Sequence, residues 1–136
     1  MKPDALKATC LDLTGAVETF PFTAETSVFK VGGKIFALSA LDSDPLSVSL
    51  KCDPEIALQL RAAHRGITPG WHLNKRHWNT VLLDDSIPDD LVREMIEDSY
   101  DLIVAKLPRA EQLLLSWPGV RRADERGADG RGADER

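Results

Sequence analysis

Leu46, Val48, Leu50 and Cys52 alternate with Ser47, Ser49 and Lys51. This period of two predicts a strand with one buried and one wet face. Upstream, Ser27 to Val31 and Lys34 to Ala40 flank Gly32-Gly33. That pattern predicts a hairpin closed by a two-residue turn, because glycine accepts a positive φ. Asp42-Ser43-Asp44-Pro45 reads as the next turn. A helical period appears in three places. From Pro3 to Leu13, the residues Leu6, Cys10 and Leu13 fall at i, i+4 and i+7. Pro3 suits the first helical position, Asp4 the positive end of the dipole, and Gly15 the stop. Asp53-Pro54-Glu55 supplies an N-cap, a proline at N1 and an acid in the first turn of a second helix. It runs to about His64, with Arg61, His64 and Arg65 at its negative end and Gly66 after it. The third helix runs from Pro88 to Leu107, buries Val92, Met95, Ile96, Ser99 and Ile103, and stops at Pro108.

The remaining segments carry weaker patterns. Phe20-Pro21-Phe22 reads as a rigid aromatic linker packed under the sheet edge, and Ile67 to Gly70 as a loop. Trp71 to Leu73 reads as a short strand, and Asn79 to Leu83 as a better one, ended by Asp84-Asp85. Glu111 to Trp117 can form one or two helical turns. From Arg121 onward the chain repeats Ala-Asp-Glu-Arg and Arg-Gly-Ala-Asp, with no apolar residue larger than alanine. Such a segment buries too little surface to offset its ordering entropy, which predicts disorder. The order α-β-β-β-α-β(β)-α, with tight links between strands, predicts an α+β fold. Its antiparallel β-sheet has helices packed on one face, because the third strand keeps a serine and lysine side for water. The expected organisation is a domain over 1–108, a weakly helical extension over 109–120 and a charged tail over 121–136.

The 136 residues, 43% hydrophobic and 29% charged, are enough for one hydrophobic core. No apolar run approaches the roughly 18 residues of a membrane span. The start, Met1-Lys2-Pro3-Asp4-Ala5, has no secretory apolar region, so the expected location is the cytoplasm. Cys10 and Cys52 form no CxxC pair and read as small buried apolar residues. The net charge of −5 argues mildly against generic nucleic-acid binding, but the charge is unevenly spread. No acid lies between Glu55 and Asp84, a stretch that holds Arg61, Arg65, Lys75, Arg76, His64, His72 and His77. From Asp84 to Asp101 only Arg93 stands against many carboxylates.

The densest candidate is Trp71-His72-Leu73-Asn74-Lys75-Arg76-His77-Trp78-Asn79-Thr80. Lys75-Arg76 suits the tip of a turn, where arginine matches phosphate geometry and lysine supplies a point charge. Asn74 and Asn79 can read base edges or form turns, and His72 and His77 add hydrogen bonds. Trp71 and Trp78 either stack on bases or close the core. Lys30, Lys34 and Lys51 add cations from the hairpin and the open sheet face. The histidines lack a cysteine or acid nearby in sequence to complete a zinc site. There is no nucleophile elbow, phosphate-binding glycine loop or paired-carboxylate motif. The pattern is therefore that of a binding module and not of an enzyme, with no cofactor implied. A rival site is the stripe Asp90, Glu94, Glu97 and Asp101 on one face of the third helix, where like charges repel. It reads as a solvated face, with a basic partner or a divalent metal as the alternatives.

Four segments resemble the MmcQ/YjbR family of small bacterial proteins. They are Val28-Phe29-Lys30-Val31-Gly32-Gly33-Lys34-Ile35-Phe36-Ala37-Leu38, Leu50-Lys51-Cys52-Asp53-Pro54-Glu55, Pro69 to Val81, and Ser99-Tyr100-Asp101-Leu102-Ile103. The run His-x-Asn-Lys-x-His-Trp-Asn-Thr is the most specific, and the likeness covers about Asp4 to Pro108. The resemblance implies a CyaY-like fold and DNA binding, with two β-hairpins acting as wings. Kinship to frataxin-like proteins implies iron as the metal for the acidic stripe. The expected partner is DNA, contacted by Lys75, Arg76, Asn74, His72 and His77, with a protein-interaction adaptor as the alternative. A monomer without membrane contact is expected.

Overall fold

The computed structural model describes residues 1–117. The charged tail over 121–136, and the end of the extension before it, lie outside the described residues. The elements are α1 (Pro3–Leu11), β1 (Val17–Thr19), β2 (Ser27–Val31), β3 (Lys34–Ser39), β4 (Ser47–Lys51), α2 (Pro54–Ala63), β5 (Ile67–Pro69), β6 (Trp78–Leu82), α3 (Asp89–Val104) and α4 (Arg109–Ser116). All strand pairs are antiparallel, in one six-stranded sheet of order β1-β2-β3-β4-β6-β5. The short strands β1 and β5 form its two edges.

The alternation in β4 behaves as read. Val48 and Leu50 are buried, and Ser47, Ser49 and Lys51 are half-buried. Leu50 pairs with Asn79 and Val48 with Val81, so these four share the face that α2 and α3 cover. Ser49 and Thr80 pair on the opposite face, their hydroxyls 2.9 Å apart. The turn between β2 and β3 has Gly32 at φ +58° and Gly33 at +79°, a geometry that side chains with a Cβ rarely adopt. Asp53 caps α2 by accepting a hydrogen bond from Glu55 N at 3.0 Å, and Pro54 needs no partner for its nitrogen at N1. In α3, Val92, Met95, Ile96, Ser99 and Ile103 are buried as their spacing required.

Ser99 is the polar member of that stripe. Phe36 is the extra residue of a β-bulge, since Phe29 pairs with Ala37 and Lys30 with Ile35. The β3–β4 pairing consists of Ala37 with Leu50 and Leu38 with Ser49. Beyond it the Ser99 hydroxyl bridges the two strands. It donates to Phe36 O at 2.6 Å and accepts from Lys51 N at 2.9 Å. One buried hydroxyl thus satisfies backbone groups that the bulge leaves unmatched.

Several boundaries and assignments differ from the sequence reading. α1 ends at Leu11 and α3 at Val104, each one short turn early. Val17–Thr19 forms edge strand β1, which has too few residues to show a period. Phe20 and Phe22 are 52% and 64% exposed, so this linker is not packed under the sheet. Ile67–Pro69, read as loop, is strand β5, while Trp71 to Leu73, read as strand, is turn. Ile67 pairs with Val81 and Pro69 with Asn79, so tertiary pairing overrides the local signal of Thr-Pro-Gly. Cys10 is fully buried, and burial followed by the nearby Glu18 pushes its thiol up to about 12. Cys52 is only half-buried, because β4 ends one residue before it.

Candidate nucleic-acid interface

The sheet brings several cations to one end. β2 ends and β3 begins at the Gly32-Gly33 turn. β4 ends at Lys51, which pairs with Trp78 at the start of β6, and residues 70–77 form the turn into β6. Antiparallel pairing places Lys34, Lys51 and the 70–77 turn at the same end of the sheet. Lys106, just past the C-terminal end of α3, joins them. Burial, then the charges of Lys106 and Lys34, hold Lys51 below the usual lysine range. Lys30 is half-buried on β2, opposite Ile35.

The turn itself is braced from inside. Arg61, in the last turn of α2, donates from Nε to Asn79 Oδ1 at 2.7 Å. Its Nη2 donates to Trp78 O at 3.3 Å and to Lys75 O. Gly70 N donates to Trp78 O at 2.8 Å, and His77 O accepts from Cys52 N at 2.8 Å. Asn74 Oδ1 accepts from Arg76 N at 2.9 Å, the local loop that asparagine forms in turns. A planar guanidinium with several fixed donors suits this bracing, since one side chain meets three acceptors at different points of the turn.

The expected site residues divide accordingly. His72, Asn74, Lys75 and Arg76 are exposed, and His77 and Trp78 are half-buried. Lys75 Nζ donates to Gly70 O at 3.2 Å. Among the described residues, neither Lys75 nor Arg76 forms an ion pair with a carboxylate. Trp71 is 74% exposed, which removes it from the core, and its ring stacks on His72 with centroids 4.6 Å apart. Asn79 corrects the sequence reading most sharply. It is 2% exposed and bound to Arg61, so it neither reads a base edge nor forms a turn.

The acidic stripe stays on the outer side of α3. Asp90 pairs with Arg93 at 3.4 Å, and Glu94, Glu97 and Asp101 are exposed. Among the described residues, no three His, Cys, Asp or Glu side chains converge to hold a metal ion. Asp98, which the sequence reading passed over, is held above the usual carboxylate range by burial and then by Glu94, Asp101 and Glu97. In the sequence Arg61 shows only as a helix-end cation, and Lys106 carries no local signal. Both act through tertiary contacts that no local spacing announces. No described helix is long and apolar enough to cross a membrane.

Comparison with known proteins places these features in a family. The family model described as YjbR matches residues 11–102, from the end of α1 into α3. The chain is 37% identical over 109 residues to YbdF, an uncharacterized protein of Escherichia coli O157:H7, covering 80% of this chain and 89% of YbdF. It is 36% identical over 106 residues to YjbR, an uncharacterized protein of Escherichia coli strain K12, covering 78% of this chain and 90% of that one. The crystal structure of Deinococcus radiodurans protein DR2400 superposes with a TM-score of 0.80 at 44% identity, covering 88% of this chain and 91% of that one. The whole sheet, α2, the braced turn and most of α3 thus lie within the matched residues, and the chain belongs to the YjbR family.

Proposed function

We propose that this protein binds nucleic acid through the cationic end of its sheet. The observation that carries this reading is the gathering of Lys34, Lys51 and Lys106 from separate elements against their mutual repulsion. A phosphate backbone would relieve that repulsion and raise the pKa of Lys51 toward its ordinary value. The exposed Lys75 and Arg76 extend the same end, and Trp71 with His72 offers a flat surface on which an unpaired base could stack. The acids of α3 lie on the outer side of the helix layer and limit the footprint to the sheet end. The contacts are mainly to phosphate, so the reading implies weak sequence preference.

Fluorescence polarisation with single- and double-stranded DNA, across a salt series, tests this. With three to five phosphate contacts, log K should fall by about 3–4 for each tenfold rise in salt, slightly less for single strands. Lys75→Ala with Arg76→Ala should weaken binding, and Trp71→Ala should weaken the single strand more than the duplex. Absence of binding at low salt, or binding unchanged in the double variant, overturns the reading.

A further inference from the structure

Leu38, Ser49, Thr80 and Thr68 pair in turn across β3, β4, β6 and β5, and form one row on the side of the sheet away from α2 and α3. Thr68 is exposed and the other three are half-buried. Lys51 and Trp78 form the next row, two residues nearer the cationic end. Neighbouring strands lie about 4.8 Å apart, so the row from Leu38 to Thr68 spans about 14 Å. That breadth seats two or three splayed nucleotides.

The charge of this open side has one sign. Glu18 is the only acid in the six strands. It pairs with Phe29, which shares the helix-covered side with Ala37 and Leu50. The strand residues of the open side thus carry lysines and hydroxyls and no carboxylate. Asp42, Asp44 and Asp84 lie past the far ends of β3 and β6. A polyanion entering from the lysines meets no strand carboxylate on its way across.

Trp71 joins the cationic end to this side. Its backbone N donates to Thr80 Oγ1 at 3.3 Å, and Thr80 Oγ1 lies 2.9 Å from Ser49 Oγ. These bonds hold the Trp71 backbone against the row, while its ring is 74% exposed and stacks on His72. An open aromatic ring beside a flat, hydroxyl-bearing sheet suits bases freed from pairing, whereas a duplex keeps its bases stacked inside.

We infer that the nucleic acid is single-stranded and lies across the open side of β3, β4, β6 and β5, entering at the lysines and stacking a base on Trp71. This inference rests on the nucleic-acid reading above and extends its footprint from the cationic end onto the adjoining side of the sheet. Phosphates meet Lys51, Lys75 and Arg76, and the row at Leu38, Ser49, Thr80 and Thr68 receives the bases that follow.

Fluorescence polarisation at low salt compares a labelled oligothymidine of about ten nucleotides with a hairpin duplex of similar charge. The oligothymidine should bind about tenfold tighter. Thr68→Glu, at an exposed position of the edge strand, puts a carboxylate on the row. It should weaken the oligothymidine by about tenfold and leave the duplex unchanged, with Thr68→Gln close to the parent. In proton–nitrogen correlation spectra of the unsubstituted chain, the oligothymidine should shift the amides of Ser49, Thr68 and Thr80. Three results each overturn the inference: a duplex bound as tightly, Thr68→Glu binding oligothymidine as the parent does, or shifts confined to residues 70–77. The nucleic-acid reading survives any of these while Lys75→Ala with Arg76→Ala still weakens binding. Binding of neither probe overturns both.

Discussion

Arg61 Nε donates to Asn79 Oδ1 at 2.7 Å and so joins the last turn of α2 to the first half of β6. The same guanidinium reaches Trp78 O and Lys75 O, so one side chain sets both the strand and the turn before it. Arg61→Ala should therefore destabilise the fold by about 2 kcal/mol in urea denaturation. Amide exchange in residues 70–78 should accelerate more than the global loss predicts. Arg61→Lys should recover little of either, because an ammonium cannot meet three separated acceptors at once.

Ser99→Ala should cost about 2–4 kcal/mol, more than a surface serine would, because Phe36 O and Lys51 N both lose their partner inside the fold. Thermal unfolding checks the size. A variant within a few tenths of a kcal/mol of the parent would mean that water or a strand shift replaces the hydroxyl.

Asp98→Asn should stabilise the protein at neutral pH by roughly 0.5 kcal/mol, since it removes repulsion from Glu94 and Asp101 along α3. The sign follows from linkage. The folded-state pKa of Asp98 is raised, so the folded protein holds its proton more tightly than the unfolded chain. The parent's penalty is fully present above the folded pKa, shrinks as pH falls through it, and is gone below the unfolded value. The Tm gain of the variant should follow that course from neutral to acidic pH.

Lys106→Gln should raise the pKa of Lys51 toward its ordinary value, because a like charge is removed. On the nucleic-acid reading the same change should lower the salt slope of DNA binding by about 1. Nitrogen-detected titration of Lys51 and the salt series together separate the two effects.

Gly70→Ala should disturb the turn although Gly70 has an ordinary φ. An added Cβ would lie 2.7 Å from Trp78 Cβ and 3.1 Å from Trp78 O, and the strand backbone cannot move aside cheaply. A loss of roughly 2 kcal/mol, with chemical-shift changes centred on Trp78, is expected.

Much of this architecture can be read from local pattern. The Gly32-Gly33 turn, the alternation in β4, the Asp53 cap and the buried stripe of α3 each rest on neighbours within one element. β5 was hidden because Thr68 and Pro69 look like loop until Val81 and Asn79 pair with Ile67 and Pro69. The site divides along the same line. The exposed cations of the turn are plain in the sequence. The burial of Asn79 and its bond to Arg61, 18 residues away, depend on how α2 docks on the sheet. The approach of Lys106 to Lys51 likewise arises only when the end of α3 reaches β4.

The two outermost strands have a consequence for association. β1 and β5 span three residues each, and β5 ends at Pro69, which has no N–H to offer. Neither presents a long flat row of open amides, so strand addition by another chain gains few main-chain bonds. Among the described residues, side chains on the faces and ends therefore offer a second copy or an extended peptide more than the strand edges do.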